Sequence, residues 1–420
     1  MTEKLLQYLW NFKIFKSFDF TDVEGNPLEV IDFGRWNFDS GPDFLYGKIR
    51  CNGLVIAGNI ELHVKSSDWV FHHHSGNPEF DNVILHVVFL HDVDIAELTE
   101  KNIPTLELKA YIDENLLQKY ESLLNESQFI PCEKIFDSQK IPFHFFENAL
   151  LRKLDEKSLE IDEALKKETN DYEAVLFQKL AYAFGLKVNA PIFRQIAEGL
   201  DYTVVNKVRQ NRTQLEALFY GISGWLDQPF DEQMHVWKRE FEFLKTKFHL
   251  TPVRIMPKFS KLRPPNFPTI RFSQLASLYS GNQNLFSKLM TAKNATELYC
   301  IFENIAASSY WNNHFNFGKL SSVTNEKKLT KDFVDIVLLN AVLPLRYTYY
   351  KNSEEAISDE ILDVYRQISA EKNTVIAGWK KLKLPVENAL HSQGLLFHYQ
   401  NFCEKKACLQ CGIGLQLMKK

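Results

Sequence analysis

Residues 41–91 constrain the fold more than any other part of the chain. Two β-like runs, 44–50 and 54–64, flank Asn52-Gly53. Asn-Gly supplies the positive φ angles that a two-residue hairpin turn requires, so the runs are expected to pair as antiparallel strands. The nearly all-apolar run Val83–Leu90 follows, as expected of a central strand covered on both faces. Strand side chains alternate between faces, which puts Glu61, His63 and Lys65 together on one face, with Asp43 at the start of the partner strand. Asp68, Trp69 and His72-His73-His74 come next, and His72 and His74 alternate, so both can turn toward one site. His86, inside VILHVVF, reads as a core imidazole that needs a partner.

The rest of the N-terminal region completes a sheet. Leu5, Leu6, Leu9, Trp10 and Ile14 recur at helical spacing in residues 2–15. Strands are expected at 28–33 and 105–112, giving an α/β domain over 1–115. From 116 to 385 helical periodicity dominates, with helices expected near 145–167, 172–184, 202–208, 213–226, 236–248, 272–280, 283–291, 295–306, 331–349 and 354–371. A last helix and a cysteine cluster occupy 386–420. The fold class is α+β: an N-terminal α/β sheet followed by a larger all-helical region.

At 420 residues and 45% hydrophobic content the chain has material for two or three packed domains and is not a disordered one. A net charge of −4 argues against a general polyanion-binding coat but leaves room for a local basic groove. Six cysteines are too few for a disulfide framework. The N-terminus lacks a signal-peptide pattern, and no apolar run approaches the roughly 20 residues of a membrane helix. A cytoplasmic protein that does not enter a membrane is expected.

Metal-dependent phosphodiester hydrolysis needs hard oxygen ligands for a divalent ion and a group that orients the attacking water. Pro42-Asp43, Glu61 and the hairpin between them resemble the core of the PD-(D/E)XK nucleases, a restriction-endonuclease-like sheet. The resemblance implies that Asp43 and Glu61 hold Mg²⁺ or Mn²⁺. It departs from that pattern at His63, which stands where the family has Lys; Lys65 lies roughly 13 Å from Glu61 along the strand at ~3.3 Å per residue. Lys65 or His63 is expected to orient the water, with His72 and His74 as further ligands or proton carriers. Glu107-Leu108-Lys109 also reads as acid-x-Lys but lacks a preceding Pro-Asp, and is taken as a solvent-facing strand edge. Two alternatives stay open. One is a catalytically silent nucleic-acid-binding or scaffold protein on a nuclease-like core. The other is a non-nuclease metal hydrolase whose histidines favour Zn²⁺ or Mn²⁺.

Two further motifs add partners. The segment KFSKLRPPNFPTIR interleaves Lys261, Arg263 and Arg271 with Phe259, Phe267 and prolines, a pattern suited to phosphate contact and base stacking, or to a rigid linker in which Arg263 pairs a carboxylate such as Glu216. Cys403, Cys408 and Cys411 form C-x4-C-x2-C, a metal knuckle needing a fourth ligand, for which Cys132 is the best remote candidate. Zn²⁺ is the default occupant; an iron–sulfur cluster, as in some PD-(D/E)XK nucleases, is the alternative. Cys51 and Cys300 read as packed residues.

GPDF, GNIELHVKSSDWVFHHH, NVILHVV, QLEALFYGISGWL, KLRPPNFPTIR, YWNNHFNFG and ENALHSQGLLFHYQNFCEKKACLQCGIG together resemble the family known as domain of unknown function 2851. That resemblance spans nearly the whole chain and implies no activity.

Overall fold

A computed structural model describes all residues except 38–39, 116, 119–128, 143, 254, 261, 355–357 and 415–420. The chain forms two compact units, Met1–Pro142 together with Gln400–Lys420, and Phe143–Tyr399. The first unit thus runs past the expected boundary at 115, and the end of the chain belongs to it.

The first unit is a mixed sheet with a helix on it. Helix α1 (Glu3–Asn11) is capped by the Thr2 hydroxyl and buries Leu5, Leu6, Leu9 and Trp10. Trp10 Nε1 donates to the Phe33 carbonyl at 2.9 Å, which satisfies the one polar atom this indole takes into the core. The strands are β1 (Phe20–Thr21), β2 (Pro27–Asp32), β3 (Arg35–Trp36), β4 (Phe44–Cys51), β5 (Leu54–Lys65), β6 (Val83–Leu90) and β7 (Thr105–Glu107). Their order is β1-β2-β4-β5-β6-β7, with β3 paired to β4. β2, β4 and β5 are antiparallel neighbours; β6 lies parallel to β5, and β7 parallel to β6.

The β4–β5 turn is the expected one, with Asn52 at φ 51° and Gly53 at φ 76°. β6 is buried from Val83 to Val88, as its apolar run requires. The crossover from β5 to β6 carries a short helix, α2 (Asp68–Phe71), and packs Trp69 and Phe80 with Val83, Ile95 and Leu98. The last strand is shorter than expected. It pairs with β6 only from His86 to Val88, and the chain then turns into a 3-10 segment at Lys109–Tyr111. Glu107 and Lys109 do sit at that sheet edge, with Lys109 exposed.

The second unit is helical. Phe145–Lys167, Tyr172–Phe184 and Tyr202–Val208 fall where the apolar spacing puts them. Gly185 ends the second helix, but another, Leu186–Glu198, begins at once and accommodates Pro191. The expected helix at 331–349 widens into a π-helical turn at Leu338–Val342, just ahead of Pro344. Its core includes Phe177, Phe219, Phe272, Trp237 and Trp311. Among the described residues no helix is long and apolar enough to cross a membrane.

Candidate metal centre

The hairpin and the parallel strand beside it bring the polar groups together. Asp43 and Glu61 lock each other reciprocally. The Asp43 backbone N–H donates to Glu61 Oε2 at 3.0 Å, and the Leu62 N–H donates to Asp43 Oδ2 at 3.0 Å. Two carboxylates therefore sit side by side at the edge of a covered face. Burial pushes Asp43 up to about 8, and the neighbouring Glu61 charge adds to this. Burial also pushes Glu61 up to about 8. Gln7, from α1, donates to Asp43 Oδ1 at 2.7 Å and fixes its orientation.

Three imidazoles close the other side. Their ring nitrogens, from His63, His72 and His74, lie within 4.8 Å of one another. His63 is fully buried in β5. His72 and His74 follow α2, and His73 between them takes φ 60°, a left-handed conformation uncommon outside glycine. Both flanking rings come within 5.0–5.1 Å of the His63 ring, centroid to centroid, as the alternation predicts. His74 Nε2 is 3.2 Å from Glu61 Oε1, and His63 Nε2 is 3.7 Å from the same oxygen. Neither approach has hydrogen-bond geometry: His63 Nε2 and both His74 nitrogens are buried without a hydrogen-bond partner.

His86 stands behind His63. Its Nε2 is 3.0 Å from His63 Nδ1, and its Nδ1 is 3.5 Å from Thr105 Oγ1. When protons run from His63 Nδ1 to His86 and from His86 Nδ1 to Thr105, His63 Nε2 presents a bare lone pair to the carboxylates. Burial holds His63 down to about 2 and His86 down to about 3, so both are neutral near pH 7, the form that binds metals. Burial lowers His74 as well.

These donors fit a divalent cation. Ligands at about 2.1 Å from one ion stand about 3.0–3.4 Å apart, close to the Glu61–His74 and Glu61–His63 separations. Asp43, Glu61, His63 and His74 would hold the ion, with exposed His72 at the rim. The three imidazole nitrogens without a hydrogen-bond partner otherwise carry a desolvation cost that no described hydrogen bond offsets.

Not every expected residue arrives. Lys65 is exposed at the end of β5, and its backbone N–H donates to Asp68 Oδ2 at 2.9 Å. No described contact joins its side chain to Asp43 or Glu61. Glu3 and Gln7 were invisible in the sequence, because nothing local marks an N-terminal helix as part of a site. Glu3 lies near enough to His72 and His74 to feel their charge.

The proposed substrate-binding segment belongs to the second unit. Arg263 is exposed; Glu216 is buried and accepts from Ser273 Oγ rather than from Arg263. Arg271 is 5% exposed, inside the helix Pro268–Gly281; it bonds Gln274 at 2.8 Å and Asn266, and its guanidinium lies 3.5 Å from the Phe333 ring centre. Arg271 is thus a packed cation rather than a surface one. The expected role of Lys261 lies outside the described residues. Phe259 lines a cavity of about 550 Å3 with Trp225, Phe230, Met256 and Phe317.

The four expected cysteine ligands share the first unit. Cys132, Cys408 and Cys411 are buried and Cys403 half-buried, and none forms a disulfide. Cys51 is buried in β4, whereas Cys300 is exposed, not packed.

The family model described as "Protein of unknown function (DUF2851)" matches residues 3–374, and the chain belongs to that family. No curated protein and no solved structure matches it.

Proposed function

We propose that this protein is a metal-dependent hydrolase of nucleic-acid phosphodiester bonds. The observation that carries the reading is the reciprocal Asp43–Glu61 pair facing imidazole nitrogens that have no hydrogen-bond partner. It lies across the β4–β5 hairpin beside a parallel strand, the arrangement in which the Pro-Asp and acidic strand of a PD-(D/E)XK core would place it.

Asp43 and Glu61 would hold the ion together with His63 and His74. Imidazole ligands favour Mn²⁺ over Mg²⁺. Once bound, the ion supplies Lewis acidity toward a phosphoryl oxygen and lowers the pKa of a bound water. Gln7 keeps Asp43 from rotating away, and His86 fixes the tautomer of His63. His72, on the exposed rim, is positioned to carry a proton to solvent. Lys65 is not needed in this account: His63 takes the position that a Lys holds elsewhere, and binds rather than repels the cation.

The convergence of three imidazoles also suits a hydrolase of other esters or amides using Zn²⁺ or Mn²⁺. A panel of single- and double-stranded DNA and RNA, with carboxyl-ester and peptide substrates beside it, separates the readings under Mg²⁺, Mn²⁺ and Zn²⁺. Nuclease activity that requires a divalent ion and disappears in Asp43→Ala is the expected result. Nucleic-acid cleavage that survives Asp43→Ala and Glu61→Gln unchanged would sink the proposed site.

A further inference from the structure

The cavity beside Phe259 is built within the helical unit and does not rest on the reading of the hairpin site. Its volume of about 550 Å3 is in the range of small-molecule pockets. Separate segments supply its walls. Gly224, at φ 77°, turns the chain after the helix Arg212–Ile222 and delivers Trp225. The two-stranded hairpin of His314–Asn316 and Lys319–Leu320 supplies Phe317 at its turn. Met256 and Phe259 come from the stretch that leads to Pro264–Asn266.

The floor of the cavity is fixed by the core. Trp225 is buried, and its ring centre lies 5.9 Å from that of Tyr220 and 6.1 Å from that of Phe317. Its Nε1 donates to the Ile255 carbonyl at 3.4 Å. The mouth is different. Phe230 is 72% exposed and Met256 71%. Single apolar side chains on a surface are ordinary, but two at the mouth of one aromatic cavity are a ligand-facing patch. The fold also makes room for Phe230. Gly318 takes φ 62°, and a Cβ there would come 2.9 Å from the Phe230 Cβ, so only glycine lets the hairpin turn lie against it.

The polar groups select the ligand. Gln228 and Asn316 line the cavity, and a side-chain amide offers both a donor and an acceptor, as the edge of a nucleobase does. The Phe317 N–H donates to Asn316 Oδ1 at 2.9 Å and orients that amide. Asp227 and Lys319 carry the charges of the lining. Lys238 Nζ donates to the Asp227 carbonyl at 2.8 Å, so two ammonium groups stand by one carboxylate. That balance disfavours the quaternary ammonium that an aromatic cage otherwise suits, and favours an anion. A sugar would need a polar partner for each hydroxyl, more than this mainly aromatic lining offers. An acyl chain would leave both amides without a partner.

We propose that this cavity binds a nucleobase, stacked against Phe230, with its edge on Gln228 and Asn316 and the attached phosphate toward Lys319. A free nucleotide and one residue of a single strand share that chemistry.

The test uses the full chain in EDTA, so that no divalent ion takes part. Adenosine, cytidine, guanosine and uridine monophosphates are titrated by calorimetry beside choline and maltose. At least one nucleotide should bind with a Kd below about 1 mM. Phe230→Ala removes an exposed side chain and should weaken that binding about 5–150-fold, with the unfolding midpoint unchanged. Lys319→Ala should weaken the nucleotide by up to about fivefold and leave the parent nucleoside unaffected. An oligonucleotide of the same base that binds more than tenfold tighter than the mononucleotide, and weakens equally in Phe230→Ala, makes a single strand the source; any lesser gain makes it the free nucleotide. No binding of any nucleotide at about 5 mM overturns the proposal. So does nucleotide binding that Phe230→Ala leaves unchanged, or binding of choline or maltose in its place.

Discussion

Both units bury ionisable side chains, but they treat them differently. Among the described residues of the helical unit, four buried charged side chains have hydrogen-bond partners: Arg271 has Gln274 and Asn266, Glu216 has Ser273, Arg346 has the Ala292 carbonyl, and Arg209 has the Asn282 carbonyl. Some of their Nε atoms lack partners, yet each guanidinium is held through its terminal nitrogens. In the sheet unit, Asp43 accepts from Gln7 and the Leu62 N–H and Glu61 from the Asp43 N–H, yet the imidazoles beside them keep ring nitrogens with no hydrogen-bond partner, His74 Nε2 at 3.2 Å from Glu61 among them. The first pattern is what a stable core needs. The second leaves imidazole nitrogens unpaired beside carboxyl groups, which is the observation behind the proposed cation site. The comparison teaches that burial of polar groups says little by itself; whether their partners are complementary or all electron-rich tells structure from function.

That contrast can be broken most forcefully at the carboxylates. Asp43→Ala and Glu61→Ala are expected to lower metal-dependent hydrolysis at least about 10³-fold, measured as initial rates at saturating Mn²⁺. Either variant within tenfold of the unaltered protein would make the pair an ordinary buried contact. His86→Ala touches no ion in this account and works through His63, so it should weaken Mn²⁺ binding by about 10–100-fold by calorimetry. An unchanged affinity would return His86 to the role of a satisfied core histidine.

Arg271→Ala probes the other side of the comparison. It should destabilise the protein by about 2 kcal/mol in denaturant unfolding, because Gln274 and Asn266 lose a charged donor, and leave Mn²⁺ affinity unchanged. A change in metal binding would mean that the two kinds of burial are not separate.

The pH dependence sharpens the contrast further. Asp43 and Glu61 bind protons more tightly in the folded state, so their stabilising effect is full below about pH 4 and is lost as pH rises toward about 8. His63 and His86 are depressed, so their effect is present above about 6.5 and is lost as pH falls toward 2–3. From pH 6.5 to 8 the effect of His63 and His86 is already complete, while that of Asp43 and Glu61 is still being lost. The metal-free protein should lose melting temperature across that window, and Asp43→Asn should flatten the loss. Added Mn²⁺ should raise the melting temperature more at pH 8 than at pH 6. A larger shift at the lower pH would contradict the assignment. The smallest effect is expected for Lys65→Ala, which should alter the hydrolysis rate less than about twofold because the side chain is exposed and in contact with neither carboxylate.

Much of the sheet unit was legible from short-range rules. Asn52-Gly53 fixes the hairpin, the apolar run fixes β6, and strand alternation puts Glu61 and His63 on one face. Alternation also paired His72 with His74, although it is the left-handed His73 that lets both rings turn inward. Gln7 and Glu3 were not legible, because their role comes from where α1 packs and not from any local pattern. The early end of β7 was hidden for the same reason, since the length of its pairing with β6 is a tertiary fact. Arg271 misled in the opposite direction. A basic, proline-rich run looks exposed, but Pro268 starts a helix, and its first turns carry Arg271 into the core.

The central claim is that the carboxylates and imidazoles of the hairpin bind one divalent ion, and a crystal soaked in Mn²⁺ tests it most directly. The account predicts an anomalous peak within about 2.3 Å of Asp43 or Glu61 oxygen and of His63 or His74 nitrogen, absent in Asp43→Ala. Saturating Mn²⁺ that leaves this cluster empty, or that binds only elsewhere, would contradict it.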